Sequence, residues 1–178
     1  VMKKQFEALF DLIKEPLKAD GGVKTDHSIR FVYPPEKELD FIEQLLDSFV
    51  PLLEAKKVRF WLLDLSAFLF ESLDTESIEM LEEDEFDDYR WMKQGLSKRL
   101  EANLHKRFAK LADELPGGTI IAHGTVALYP LIRFGEVLKG IRDLNCRVVI
   151  AHPGEDRDGK VYFLDQPDSG NYLTVKLT

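Results

Sequence analysis

Cysteine is almost absent from this chain of 178 residues. Cys146 stands alone, which excludes an internal disulfide and any zinc or iron–sulfur framework built on several cysteines; its expected role is small filler before a strand. Long apolar runs are also missing. No stretch approaches the roughly 18 apolar residues of a membrane span. The start, V-M-K-K-Q-F-E, lacks the apolar region of a signal peptide, so a cytoplasmic location with no membrane partner is expected. Phosphate signatures are lacking too: neither G-x-x-x-x-G-K-[ST] nor G-x-G-x-x-G occurs, which argues against a nucleotide triphosphatase. Positive charge is in deficit. A net charge of −8 repels a phosphate backbone, so direct DNA binding is disfavoured unless a local basic face exists, the candidate being Lys106, Arg107 and Lys110.

What is present suits one α/β domain spanning 1–178, long enough to bury roughly 70% of its unfolded surface. Phe6, Leu9, Phe10, Ile13 and Leu17 recur at helical spacing, and Pro16 with Ala19-Asp20-Gly21-Gly22 ends that helix. Val23 to His27 reads as a polar connection with His27 on the surface. Ser28 to Tyr33 reads as a strand, halted by Pro34-Pro35, with proline suited to the first turn of the next helix. That helix runs through Leu39, Ile42, Leu45, Phe49 and Leu53 to Lys57, and Pro51 should kink or divide it. Val58 to Asp64 alternates too little for a half-exposed strand and is expected to be central.

Asp64 and Ser66 follow at a strand end. A catalytic reading is available, but no G-x-S-x-G elbow surrounds Ser66 and both residues are favoured helix caps. The run Glu82, Glu83, Asp84, Glu85, Asp87 and Asp88 lacks the glycine and alternating spacing of a calcium loop and reads as a solvated face, with docking of a basic partner as the other option. It precedes a long helical stripe from Tyr89 to Leu115, acidic before and basic late, as the helix dipole favours. His105 falls off that stripe and is expected to be exposed.

The most unusual chemistry lies from Thr119 to Gly159. Twice an apolar strand ends in His followed within two residues by Gly: Ile120-Ile121-Ala122-His123-Gly124 and Val148-Val149-Ile150-Ala151-His152-Pro153-Gly154. A β-α-β unit follows, with both ends on the edge of a parallel sheet where α/β folds place ligands. Gly124 and Thr125 would sit at a loop and helix start able to meet an anion. Pro130 is expected in the first helical turn, setting Arg133 near the positive end of the dipole, which calls for a carboxylate such as Asp64 or Glu155, or a bound anion. His123, His152, Asp64 and Glu155 suit a zinc or iron site by type, although nothing in their spacing requires one, and no cofactor or metal is assigned. A general-base role for His123 lacks a specified nucleophile. Val161 to Leu164 and Tyr172 to Leu177 complete the chain as two strands. The expected fold is thus α/β: three layers, a mostly parallel sheet flanked by helices, with a C-terminal antiparallel edge or hairpin.

Three segments together, Phe31-Val32-Tyr33-Pro34-Pro35-Glu36, Gly124-Thr125-Val126-Ala127-Leu128-Tyr129-Pro130-Leu131-Ile132-Arg133, and Ala151-His152-Pro153-Gly154-Glu155 with Asp158-Gly159, resemble the BrxB proteins of BREX bacteriophage-exclusion systems. The resemblance spans most of the chain and is clearest after Thr119. It departs from the family where Gly124-Thr125-Val126 replaces Gly-Val-Gly and where His152-Pro153-Gly154 replaces Tyr-Pro-Gly. The resemblance implies an accessory protein of phage defence that works with a PglZ-type phosphatase-like protein, an adenine-specific DNA methyltransferase and a large ATPase. It assigns no reaction to particular residues. A non-catalytic interaction subunit is therefore expected, binding through Asp64, His123, Gly124, Thr125, Tyr129, Arg133, His152, Gly154 and Glu155; the alternative is an enzyme that binds a small ligand or nucleotide at the same edge.

Overall fold

The structure, a computed structural model, describes residues 2–17, 27–73, 89–141, 143–163, 166–167 and 175–178. The expected glycine stop at residues 19–22, the acidic run at 82–88 and the start of the last strand at 172–174 lie outside the described residues. Strands β1 (Ser28–Tyr33), β2 (Phe60–Asp64), β3 (Thr119–His123), β4 (Arg147–Pro153) and β8 (Val175–Leu177) form one sheet in the order β2-β3-β4-β1-β8. Every pairing in it is parallel. Parallel strands need crossovers, and the chain supplies helices on both faces.

One face carries α1 (Met2–Ile13), α2 (Glu38–Gln44) and α3 (Val50–Ala55), whose Phe6, Phe41 and Leu53 pack, with Phe49 between α2 and α3, on Ile29, Phe31, Val149 and Ile121. The other carries α4 (Phe68–Glu71), α5 (Tyr89–Glu114) and α6 (Phe134–Gly140), whose Phe68, Leu104, Phe108 and Leu138 pack on Ile120, Val148 and Ile150. Alternate residues of each strand therefore enter opposite cores, as the two-residue period requires. A π turn at Leu45–Phe49 joins α2 to α3. Pro51 explains it: the proline has no N–H and its ring crowds the carbonyl four residues back, so the helix widens just before it.

The structure corrects several expectations. Strand β2 is at the sheet edge, not its centre, and Trp61 is 41% exposed there. The expected cover on both faces is also incomplete, since only Leu63 of the strand is buried; weak alternation carries no information about lateral neighbours. His27 is buried, not on the surface, because its carbonyl accepts from the Val148 N–H at 2.7 Å and extends the β1–β4 ladder by one residue. His105 is half-buried with its ring against Gly140, where the absent Cβ leaves room. The antiparallel hairpin is real but forms a separate sheet of β5 (Glu155–Arg157), β6 (Lys160–Phe163) and β7 (Gln166–Pro167), while the last strand, β8, joins β1 in parallel. Lys176 of β8 donates to the Gly159 carbonyl, tying the two sheets together. Cys146 is buried before β4, and burial pushes its thiol up to about 11, so it packs as an inert small side chain.

Candidate ligand and partner site at the strand ends

Strand β4 lies between β3 and β1, whose following segments leave toward opposite faces: α2 and α3 pack on one, α6 on the other. Loops that part in this way open a crevice at the C-terminal ends of the strands. The residues singled out in the sequence do gather at that end, but as two groups on opposite sides of the sheet.

The first group is Asp64, His123 and Gly124. Asp64 and His123 are register partners across β2 and β3, on the face that carries α2. Asp64 Oδ1 accepts the Ser66 N–H at 2.9 Å, and the cap position of α4 is Ala67, which makes no side-chain cap. The carboxylate thus braces the turn after β2 instead of capping the helix directly. Partial burial works to raise the Asp64 pKa, yet the hydrogen bonds from Ser66 and the nearby His123 outweigh it and hold the group below its usual value. His123 is buried and its pKa is lowered by that burial, against the opposing pull of Asp64 and Glu38. Gly124 has φ +72°, and a Cβ there would come within 2.8 Å of Asp64 Oδ1 and 2.9 Å of the Ser66 nitrogen. Its glycine is demanded by the turn itself.

The second group surrounds His152 on the other face, beside Val148 and Ile150. A short 3-10 turn at Thr125–Leu128 follows Gly124, the Tyr129–Pro130 peptide is cis, and α6 starts after Arg133. Pro130 consequently lies in a turn and not in the first turn of a helix. Arg133 still stands next to the start of α6, exposed, and it pairs with neither expected carboxylate. Asp64 is engaged by Ser66, and Glu155 accepts from Arg157 at 2.8 Å and 3.0 Å. Arg133, Lys93, Tyr129, Ile132, His152 and Phe163 line a cavity of about 410 Å³. Phe163 of β6 meets Tyr129 edge-on at 4.7 Å and His152 at 6.0 Å, so the small antiparallel sheet supplies one wall.

His152 is 7% exposed, and neither ring nitrogen has a hydrogen-bond partner among the described residues. Burial, helped by the positive charge of Arg30, pushes its pKa down to about 3, which leaves a neutral imidazole near pH 7. Thr125 and Gly154 are absorbed by the backbone. The Thr125 hydroxyl donates to the Ala151 carbonyl at 3.0 Å, and the buried Gly154 donates its N–H to Tyr33 at 2.8 Å and would meet Tyr162 O at 2.6 Å if it carried a Cβ. Among the described residues no three His, Cys, Asp or Glu side chains come together as a metal set. The two histidines lie on opposite faces, which is why the mixed set suggested by residue type does not assemble.

Sequence reasoning missed Lys93 and Arg30. Lys93 stands far in sequence from its cavity partners and in no motif, and only the packing of α5 beside residues 130–133 brings it in. Arg30 had a signal: within Ser-Ile-Arg-Phe-Val-Tyr it alternates with Ile29 and Phe31, and the structure buries it at 1% exposure on the His152 face. The fold and site define a parallel α/β protein with a cationic, aromatic-walled cavity at its strand ends. Searches of the chain against protein-family models and against curated proteins return no match.

Proposed function

We propose that the chain is an accessory, non-catalytic interaction subunit of a BREX-type bacteriophage defence system, acting in the cytoplasm and docking through this strand-end edge onto a PglZ-type phosphatase-like protein. The supporting observation is that two of the BrxB-like segments, Gly124–Arg133 and Ala151–Glu155, are held side by side by the bond from Thr125 to Ala151. Arg133 is exposed beside that junction and Tyr129 is half-buried there, and Tyr and Arg are frequent anchors of protein interfaces. Methyltransferase and ATPase components are the other partners in this reading. No helix among the described residues is long and apolar enough to cross a membrane.

Co-purification of the PglZ-type protein with the wild-type chain and with Arg133→Ala tests the reading. Retention by the wild type and a loss of at least tenfold in the variant is expected; equal retention removes this surface from the proposal. The second reading, binding of a small ligand or nucleotide, is favoured by the cavity around His152. Acid–base catalysis there is not, because a histidine held near pKa 3 is a poor proton carrier at neutral pH and His123 faces the other side.

A further inference from the structure

The cavity at His152 continues into a groove along α5. Lys93, Pro130 and Arg133 line both, and the groove adds Arg90, Lys98 and Glu101 over about 610 Å³. Among the described residues that line them, cavity and groove set Lys93, Lys98 and Arg133, beside an Arg90 that already has a partner, against one carboxylate, Glu101, in a chain whose net charge is −8. A local excess of cations against an acidic whole marks a place for an anion. Lys93 and Arg133 form no ion pair or hydrogen bond among the described residues. They are free to take one.

The lining differs in burial. Arg133 is exposed and Lys93 half-buried. Half-buried Tyr129 and buried Phe163 stand edge-to-face at 4.7 Å, so one ring offers its face where the other offers its edge. His152 is more than nine-tenths buried, with Phe134 at 6.1 Å and Phe163 at 6.0 Å, and both its nitrogens are unpartnered among the described residues. Both nitrogens are closed off from the space, so the ring serves the cavity as a flat wall beside Tyr129 and Phe163. At about 410 Å³ the space is that of a small organic ligand.

We propose that this cavity binds a nucleoside 5′-phosphate moiety, with the phosphate at Lys93 and Arg133 and the base against Tyr129, Phe163 and the ring of His152. A phosphate dianion matches two unpaired cations, whereas a single carboxylate leaves one of them unanswered. A flat heterocycle fits a space walled by aromatic rings. The moiety has two sources, a free mononucleotide or the phosphorylated end of a strand, and the groove past Lys98 is where the second source would lay its next phosphates. This proposal is independent of the partner reading, since it concerns the isolated chain.

Isothermal titration of the purified chain at low salt, with the four ribonucleoside 5′-monophosphates, the parent nucleosides, inorganic phosphate and a 5′-phosphorylated deoxypentanucleotide, is the test. At least one monophosphate or the pentanucleotide is expected to bind saturably, with nucleoside and inorganic phosphate at least tenfold weaker. Arg133→Gln and Lys93→Gln, both at solvent-reachable positions, should each weaken binding at least tenfold while thermal melts stay unchanged. Histidine ring signals in NMR spectra should shift on binding, and the shifting signal should vanish in His152→Leu. A pentanucleotide at least tenfold tighter than any monophosphate identifies a strand end as the source, and otherwise the free nucleotide is the source. Absence of saturable binding by every phosphorylated probe overturns the proposal, as does binding indifferent to either glutamine substitution or inorganic phosphate binding as tightly as the nucleotides.

Discussion

Replacing Gly124 by alanine puts the strand-end turn under direct strain, and its cost can be worked from two contributions. At φ +72° an L side chain pays about 1–2 kcal/mol for the left-handed conformation. The new Cβ also lands 2.8 Å from Asp64 Oδ1 and 2.9 Å from the Ser66 nitrogen, so the turn has to open. Opening it sacrifices the Ser66 to Asp64 hydrogen bond, about 1 kcal/mol. Together these give about 2–3 kcal/mol of lost stability. In urea, with a slope of about 2 kcal/mol per molar, the unfolding midpoint should fall by roughly 1 M. Gly124→Asn separates the contributions, since asparagine tolerates the left-handed region but still carries the Cβ, and it should fall between wild type and Gly124→Ala. Gly95 is the control: it lies within α5 with nothing near its missing Cβ, so Gly95→Ala should raise stability by about 0.5–1 kcal/mol. Two Gly→Ala changes of opposite sign are therefore expected. A Gly124→Ala midpoint equal to or above that of wild type refutes the argument that this turn, and not a ligand, demands the glycine.

Further predictions concern protons. His152 titrates at about 3 when folded against roughly 6.5 when unfolded, so the unfolded chain takes up the extra proton between those values and stability falls as pH drops below about 6.5. The loss from this group reaches about 2 kcal/mol by pH 5, and urea midpoints at pH 7.5 and pH 5.0 should differ less in His152→Leu than in wild type; identical differences would contradict the assignment. Tyr33, raised by burial and then by its 2.7 Å bond to Glu38, should remain un-ionised in alkaline ultraviolet titration until the chain unfolds, with stability declining as pH rises above about 10. Tyr33→Phe should cost about 1–2 kcal/mol, read as a lower urea midpoint at pH 7.

Much of the architecture was legible because it is written in periodicity. Phe6, Leu9 and Ile13 marked α1, the stripe through Leu100, Leu104 and Phe108 marked α5, and the two apolar runs ending in His123 and His152 marked adjacent parallel strands. Pro51 was rightly read as a disturbance, and the π turn is its form. What escaped was lateral and long-range. Strand order is a matter of which edges meet, and the apolar run in Val58 to Asp64 reads like a central strand although Trp61 is left exposed at the edge. The candidate site was read as one cluster because its members share one end of the sheet. Their division follows from strand parity: Asp64 and His123 fall on one set of alternate positions, and His152 on the other. Lys93 escaped because its contribution comes from helix packing alone.

That parity has a consequence for how the molecule can change. A parallel sheet is a stiff, dry layer, and side chains that leave it in opposite directions share no atoms, no hydrogen bonds and no cavity. Energies at sites without shared partners add instead of coupling. The Asp64–His123 turn and the His152 cavity therefore meet through backbone, which runs from Gly124 through Thr125 to Tyr129, and not through their side chains. Side-chain substitutions in the cavity can change what binds at this edge while the turn at Gly124 continues to hold its strand end in place.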